Sequence, residues 1–358
     1  MASAFGDHTA RSRFREGLVI PAMPLALSAE RVFDPVSQRA ILRYYVDAGA
    51  GGIAVGVHST QFAIREAPGF FENVLTFARD TVADWAQRKE TRIVLIAGVC
   101  GKTRQAISEA QLARSLGYDA GLLSLSAYPQ ASVDELVEHV RTITREIPVI
   151  GFYLQTAVGG RRLPYEFWRR FAELDNTWGI KVAPFDRYAT LDVMRGVADS
   201  GRANELALYT GNDDAIVTDL LTKYRPVGRE QADQVGFVGG LLGHWGVWTK
   251  RAVELFDTCR DIAAGGSPVS HEILALGAHV TEMNAAVFDA ANGFAGCLPG
   301  IHTVLERQGL MRSACCLDPN ERLSPGQKDE IDRVIRAYPY LTDDDFVREH
   351  LTTWREER

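Results

Sequence analysis

Lysine is scarce in this chain, with six residues against 33 arginines in a length of 358. A lysine at an apolar position is therefore not background composition. Long apolar runs are absent too. Nothing approaches the roughly 18 to 20 consecutive residues that cross a bilayer, and Met1 to Glu16 mixes charge with small polar residues rather than carrying the apolar stretch of a secretion signal. The expected location is the cytoplasm, with no membrane partner. Basic charge is in deficit, 39 Lys and Arg against 46 Asp and Glu. No basic stripe exists to release counterions, so nucleic acid is not an expected partner. Five cysteines (Cys100, Cys259, Cys297, Cys315 and Cys316) form neither a C-x-x-C pair nor a zinc spacing. Adjacent Cys315 and Cys316 read as core-filling thiols, with a redox pair as the alternative. The eight histidines make no H-x-H or H-E-x-x-H pair, so neither a metal nor a cofactor is expected.

What is present is an alternation. Apolar runs of strand length occur at Gly17–Met23, Gly52–Val57, Arg92–Cys100, Ala120–Ala127, Pro148–Leu154, Trp178–Ala183, Leu206–Gly211 and Val235–Leu241. They are continuous rather than alternating, as parallel strands buried on both faces require. Helical stretches lie between them with clear boundaries. Asp34-Pro35 is a cap with a first-turn proline, Gly117 closes a helix, and Ser132-x-x-Glu135 is a capping box. Eight strands followed by helices predict an α/β fold, a (β/α)₈ TIM barrel over residues 17–245. Residues 1–16 read as an N-terminal extension and 246–358 as a helical appendage of about five helices. A doubly wound open sheet is the alternative, weakened by the lack of G-x-G-x-x-G after the first strand.

Lys181 lies in the sixth run, within Trp178-Gly179-Ile180-Lys181-Val182-Ala183-Pro184. Burial lowers an ammonium pKa and yields the neutral amine that a Schiff-base nucleophile needs. The other reading is a lysine reaching solvent or pairing a buried carboxylate. Barrel enzymes keep their chemistry at the C-terminal ends of strands. Those ends carry His58, Ser59 and Thr60 after strand 2, Tyr128 after strand 4, Tyr153 on strand 5, Gly211 and Asn212 after strand 7, and Val238 and Gly239 on strand 8. A lysine facing tyrosines and a histidine can form an imine and move protons around it. Ser59, Thr60, Gly211, Asn212, Val238 and Gly239 are the expected substrate-binding positions. Gly239-Gly240 also fits a phosphate site or close backbone approach.

These segments resemble the dihydrodipicolinate synthase / N-acetylneuraminate lyase family of Schiff-base barrels. Gly179-Ile180-Lys181-Val182-Ala183 is similar to its G-I-K-x-A segment, and Thr210-Gly211-Asn212-Asp213 to its S-G-D-D turn. The resemblance implies an imine on Lys181 with a keto acid and Tyr153 as general acid/base. It also implies that Tyr128 is passed to a neighbouring subunit of a homodimer or homotetramer. The departures are specific. Val57-His58-Ser59-Thr60-Gln61 replaces G-T-T-G-E, Leu154 and Thr156 replace the asparagine and proline after the tyrosine, and Val158 replaces a substrate-binding arginine. His58 reads either as a relay to the Tyr153 hydroxyl, titrating near neutrality, or as a structural histidine. The expectation is a divergent member, other than a dihydrodipicolinate synthase, that acts as a lyase, aldolase or dehydratase on a small carbonyl compound and binds pyruvate weakly. A barrel that has lost catalysis and binds a ligand or partner is the alternative.

Overall fold

The computed structural model describes residues 8–225 and 234–357. Seven parallel strands come first: β1 (Val19–Pro21), β2 (Gly52–Val55), β3 (Val94–Val99), β4 (Ala120–Leu123), β5 (Val149–Leu154), β6 (Thr177–Ala183) and β7 (Ala207–Thr210). A two-residue spur, β8 (Lys223–Tyr224), pairs antiparallel with the start of β9 (Val235–Leu242). In the ring, β9 lies between β7 and β1, and every other neighbour follows chain order. The Gly51 N–H donates to Val19 O at 3.0 Å and the Met23 N–H to Ala54 O at 2.9 Å, which closes β1 on β2. The protein is a (β/α)₈ barrel with C-terminal helices. No helix among the described residues is long and apolar enough to cross a membrane.

Local sequence explains the helix ends. Asp34 accepts hydrogen bonds from the Val36 and Ser37 N–H groups ahead of α2 (Pro35–Ala48). Gly49 ends that helix at φ 100°, a left-handed conformation that only glycine adopts without steric cost. Ser132 and Glu135 form the reciprocal capping box of α5 (Val133–Ile143). The helices α3 (Phe70–Arg88), α4 (Thr103–Ser115), α6 (Tyr165–Ala172), α7 (Arg187–Asp199), α8 (Ile216–Leu221) and α9 (Thr249–Ala263) complete the outer layer.

Continuous apolar strands create two cores, one under the helices and one inside the barrel. The inner core ends at α1 (His8–Glu16), within the stretch read as an extension. Phe14 of α1 is fully buried, stacks on Tyr209 at 4.3 Å between centroids, and accepts the Tyr209 hydroxyl on its carbonyl at 2.6 Å. The barrel floor is thereby plugged. At the other end, α10 (His271–Val287) and α11 (Cys297–Arg307) cover the mouth; α12 (Gln327–Ala337) packs on both. The last helix, α13 (Asp344–Arg355), returns to α2, where Arg43 donates to the Glu356 carbonyl at 2.7 Å and Asp47 accepts from the Trp354 indole at 2.8 Å.

Candidate active site

Strand parity decides which side chains enter the lumen. In the β5–β6 pairing Phe152 is opposite Lys181, and Tyr153 is opposite Val182. Phe152 and Lys181 face inward; Tyr153 and Val182 pack under the helices. The Lys181 amine stands 4.5 Å above the centroid of the Phe152 ring. Gly211 provides the room for this chain, since a Cβ at that position would lie 2.8 Å from Lys181 Cε and 2.7 Å from the Ala183 Cβ. Around the amine is a cavity of about 520 Å³ of empty volume, partly open to solvent. Its polar lining comes from His58, Ser59, Gln155, Lys181 and Asp213. Phe152, Phe185 and Phe288 dominate the apolar walls, and α11 contributes Cys297 and Ile301.

The electrostatics follow from burial. Lys181 is 7% exposed, and desolvation lowers its pKa, with the Asp213 carboxylate opposing the shift. Asp213, 4% exposed, is shifted the other way. Desolvation raises it, while the His244 N–H that donates to its Oδ1 at 2.8 Å and the nearby Lys181 pull it back. Among the described residues no carboxylate lies within 4.0 Å of the Lys181 amine. The two groups line one cavity without a contact ion pair. Both shifts act against the charged forms and bring the two groups' proton affinities toward one another. His58 is held down at about 4, by burial first and then by the Lys181 charge, so it is a neutral imidazole at physiological pH.

Several expected site residues lie elsewhere. Tyr153 is not in the lumen. Its ring packs on Trp168 at 5.3 Å and its hydroxyl accepts the Leu163 N–H at 3.3 Å, on the helix side of β5. This removes it as acid/base, and removes the relay from His58, which is also too acidic a cation to titrate near neutrality. The cause is a one-residue parity difference, which reverses the face of a side chain. Thr60 does not line the cavity; its hydroxyl donates to Met23 O at 2.7 Å and accepts the Gly56 N–H at 3.0 Å. Ser59 does line it, but its hydroxyl also donates to Met23 O, at 3.3 Å.

Asn212 points away from the lumen. Its amide nitrogen donates to Asp219 at 2.9 Å and Thr190 at 3.1 Å, and its oxygen accepts the Phe185 N–H at 3.1 Å. Phe185 has φ 51°, a conformation that bulky side chains rarely adopt. Asn212 therefore reaches the cavity indirectly, by holding Phe185. Val238 and Gly239 are below the mouth. A Cβ on Gly239 would lie 2.4 Å from Leu18 O, and one on Gly240 would lie 2.5 Å from the Trp245 ring, so these glycines serve packing, not a phosphate. The strand continues to Leu242, and Gly243 lines the cavity. Tyr128 is outside the cavity too, with its hydroxyl 3.0 Å from the Thr103 nitrogen and 2.8 Å from the Thr103 Oγ1.

The residues missed from sequence are instructive. Asp213 follows Asn212 in the turn after β7, where Asn212 bonds outward to Asp219 and Thr190 while Asp213 lines the cavity. Phe152 precedes Tyr153 in a strand apolar on both faces. Phe288, Cys297 and Ile301 come from distant tail helices, and no local pattern marks them.

A lumenal lysine near the mouth of a plugged (β/α)₈ barrel defines the class of the fold and the site. The match is more specific than that: a model of the dihydrodipicolinate synthetase family covers residues 17–224, and the chain belongs to that family. It is similar to the 4-hydroxy-tetrahydrodipicolinate synthase of Sulfurihydrogenibium sp. (strain YO3AOP1), 29% identical over 133 residues, 36% of this chain and 43% of that one. The chain spans about half the length of the curated relatives it matches. Among solved structures it is similar to YagE, a prophage protein of the dihydrodipicolinic acid synthase family from E. coli K12 in complex with pyruvate, with TM-score 0.72, 17% identity, and coverage of 90% of this chain and 98% of that one. N-acetylneuraminate lyase from Fusobacterium nucleatum superposes with TM-score 0.69 at 16% identity, covering 90% and 99%. At these identities the structural likeness carries the fold.

Proposed function

We propose that the protein is a class I aldolase-type lyase that forms an imine between Lys181 and a small carbonyl compound with an apolar body. The observation carrying this reading is the Lys181 amine, buried in the lumen beside Phe152 and biased toward its neutral form. A neutral amine attacks a carbonyl carbon, and the resulting protonated imine draws electrons from an adjacent bond. Retro-aldol cleavage, aldol addition and dehydration all use that electron sink. Catalysis through this route requires no bound cofactor.

The substrate preference follows from the lining. Three phenylalanines, Val57, Leu154, Val158 and Ile301 surround the amine, and among the described residues no arginine lines the cavity. The hydroxyls of Ser59 and Thr60 donate to the Met23 carbonyl, so neither offers a free proton to a carboxylate. The E. coli neighbour was solved with pyruvate; the cavity here favours a bulkier, less anionic ketone or aldehyde. Assembly as a homodimer or homotetramer belongs to the same proposal and is checked by light scattering.

A second reading, a barrel that binds a ligand without turning it over, is favoured by Phe152 standing where a tyrosine was expected. Borohydride reduction separates the two. Treatment with pyruvate, 4-methyl-2-oxopentanoate, benzaldehyde or 4-phenyl-2-butanone, followed by intact mass and peptide mapping, should leave one adduct on Lys181. Absence of any adduct, or one on a surface lysine, defeats the lyase reading and leaves the binding one.

A further inference from the structure

The lumenal position opposite Lys181 is a phenylalanine, and Phe152 has no proton to give or take. Imine chemistry nevertheless needs one group that protonates a departing oxygen and another, or the same one, that removes a proton from the substrate. The described groups that titrate and face the cavity are Lys181 itself, His58 from the segment after β2, Cys297 from α11, and Asp213 from the turn after β7. Burial keeps the Cys297 thiol protonated, and His58 is a weak base. Tyr153 and Tyr128 are outside, with their hydroxyls committed to Leu163 and Thr103. Within one chain, one residue is left.

We infer that Asp213 carries the protons at the atoms bound next to Lys181, in the role that a tyrosine was expected to hold. This rests on the Schiff-base reading. The geometry is built for it. Asp213 Oδ1 is anchored by the His244 N–H at 2.8 Å, and the residue's own N–H bonds to the Gly211 carbonyl at 3.1 Å, so the carboxyl group is held in the lining of the same cavity as the amine. Its charged and titratable surroundings are Lys181, the Cys297 thiol of α11, the adjacent Asp214 and the His244 loop. Desolvation outweighs them and favours the protonated acid.

The steps balance with water as the only co-reactant. Lys181 Nζ adds to the carbonyl carbon, and the amine proton passes to the oxygen to give a carbinolamine. The Asp213 carboxyl protonates that hydroxyl, the C–O bond breaks, and water leaves, giving the iminium and the Asp213 carboxylate. The carboxylate then removes a proton, either from Cα or from a β-hydroxyl as the Cα–Cβ bond breaks. In both cases the electron pair enters the iminium to form an enamine, and in the second an aldehyde departs. The reprotonated Asp213 returns the proton to Cα, and water hydrolyses the iminium to free the ketone and the amine.

The probe is 4-phenyl-2-butanone, an apolar ketone with exchangeable Cα hydrogens. Incubation of the full chain in D₂O, followed by NMR, reads enamine formation, and borohydride trapping reads the imine. Wild type should trap and exchange, and Lys181→Ala should do neither. Asp213→Asn keeps an oxygen for the His244 N–H. It should still trap, more slowly, and should lose exchange by about 10²–10⁴-fold. Asp213→Glu should recover part of it, and Phe152→Tyr added to Asp213→Asn should recover part by another route. No adduct on wild type overturns the Schiff-base reading and this assignment together. Trapping and exchange by wild type, with Asp213→Asn exchanging within about threefold of it, overturns the assignment alone, as does exchange retained in Asp213→Asn but lost in His58→Gln. If circular dichroism shows that Asp213→Asn is unfolded, Asp213→Ser is read by the same two measurements.

Discussion

Gly211 and Lys181 occupy one space: the hydrogen of the glycine is all that fits beside the lysine chain, because a Cβ there would meet Lys181 Cε at 2.8 Å. One contact is with the flexible lysine chain, which can move, and the other is with the Ala183 Cβ at 2.7 Å, which cannot rotate away. Gly211→Ala should therefore melt below wild type, because the backbone must shift, and its rate of borohydride trapping should fall as the amine is displaced. Misplacement of a reacting atom by about 1 Å is worth up to roughly 10²-fold. Unchanged trapping by Gly211→Ala would mean that the lysine position shown here is not the reactive one.

Acidity gives a stability test with a definite sign. Asp213 binds its proton more tightly folded than unfolded, since burial raises its pKa. The stability it contributes is complete below the ordinary carboxylate range and is lost as pH rises through the raised value. Asp213→Asn has no such loss. Its melting temperature relative to wild type should rise between pH 4 and pH 9 by at least about 2 °C, the equivalent of ~1 kcal/mol in a chain of this size. A difference that is flat with pH, or that falls, contradicts the raised pKa.

Lys181 predicts the pH dependence of reaction. Burial lowers its pKa, so the neutral amine becomes abundant at lower pH than for a solvent-exposed lysine. The trapping rate should rise with pH and reach its plateau below about 10.4, the unperturbed lysine value. A rate still climbing beyond that value identifies an ordinary surface amine.

Pyruvate tests the lining. With no arginine among the described residues of the cavity wall and the Ser59 and Thr60 hydroxyls directed at Met23 O, a carboxylate forgoes charge-assisted hydrogen bonds worth roughly 1.5–3 kcal/mol each. Pyruvate should trap about ten- to a hundredfold less efficiently than 4-phenyl-2-butanone at equal concentration. Equal or better trapping of pyruvate would show a carboxylate site that the side chains do not reveal.

Asp219 tests the support of the site. Its Oδ2 accepts from the Thr210 hydroxyl at 2.7 Å and the Asn212 amide at 2.9 Å, and its Oδ1 from Arg187 at 2.5 Å. Asp219→Ala orphans two buried donors, each costing about 1–3 kcal/mol, and should lower the urea midpoint markedly. Asn212→Ala should cost less stability but reduce trapping, because Phe185 loses the amide oxygen that bonds its N–H at 3.1 Å.

The barrel was legible because each strand is an apolar run bounded by cap and turn residues. Lys181 was legible for the same reason, as the one cation in the interior of such a run. Tyr153 against Phe152 was not. In Val149–Leu154 both faces are buried, so hydrophobicity carries no parity signal; the pairing of Phe152 with Lys181 supplies it, and only three-dimensional register contains that information. Asn212 and Asp213 show the same limit in a turn, where one residue braces the loop and the next lines the cavity. The tail residues Phe288, Cys297 and Ile301 reach the cavity from more than 100 positions beyond Lys181, a distance at which local pattern says nothing.

The Phe14–Tyr209 stack at the floor makes the lumen a blind alley with one doorway. Under the proposed chemistry this settles the order of departure in a two-fragment cleavage. The fragment tethered to Lys181 stays bound until its C=N bond is hydrolysed. The free aldehyde must leave first, and water that releases the tethered ketone enters through the space it vacates. Sequential release, with the ketone last, is then a property of the covalent tether and the closed floor rather than of relative affinities.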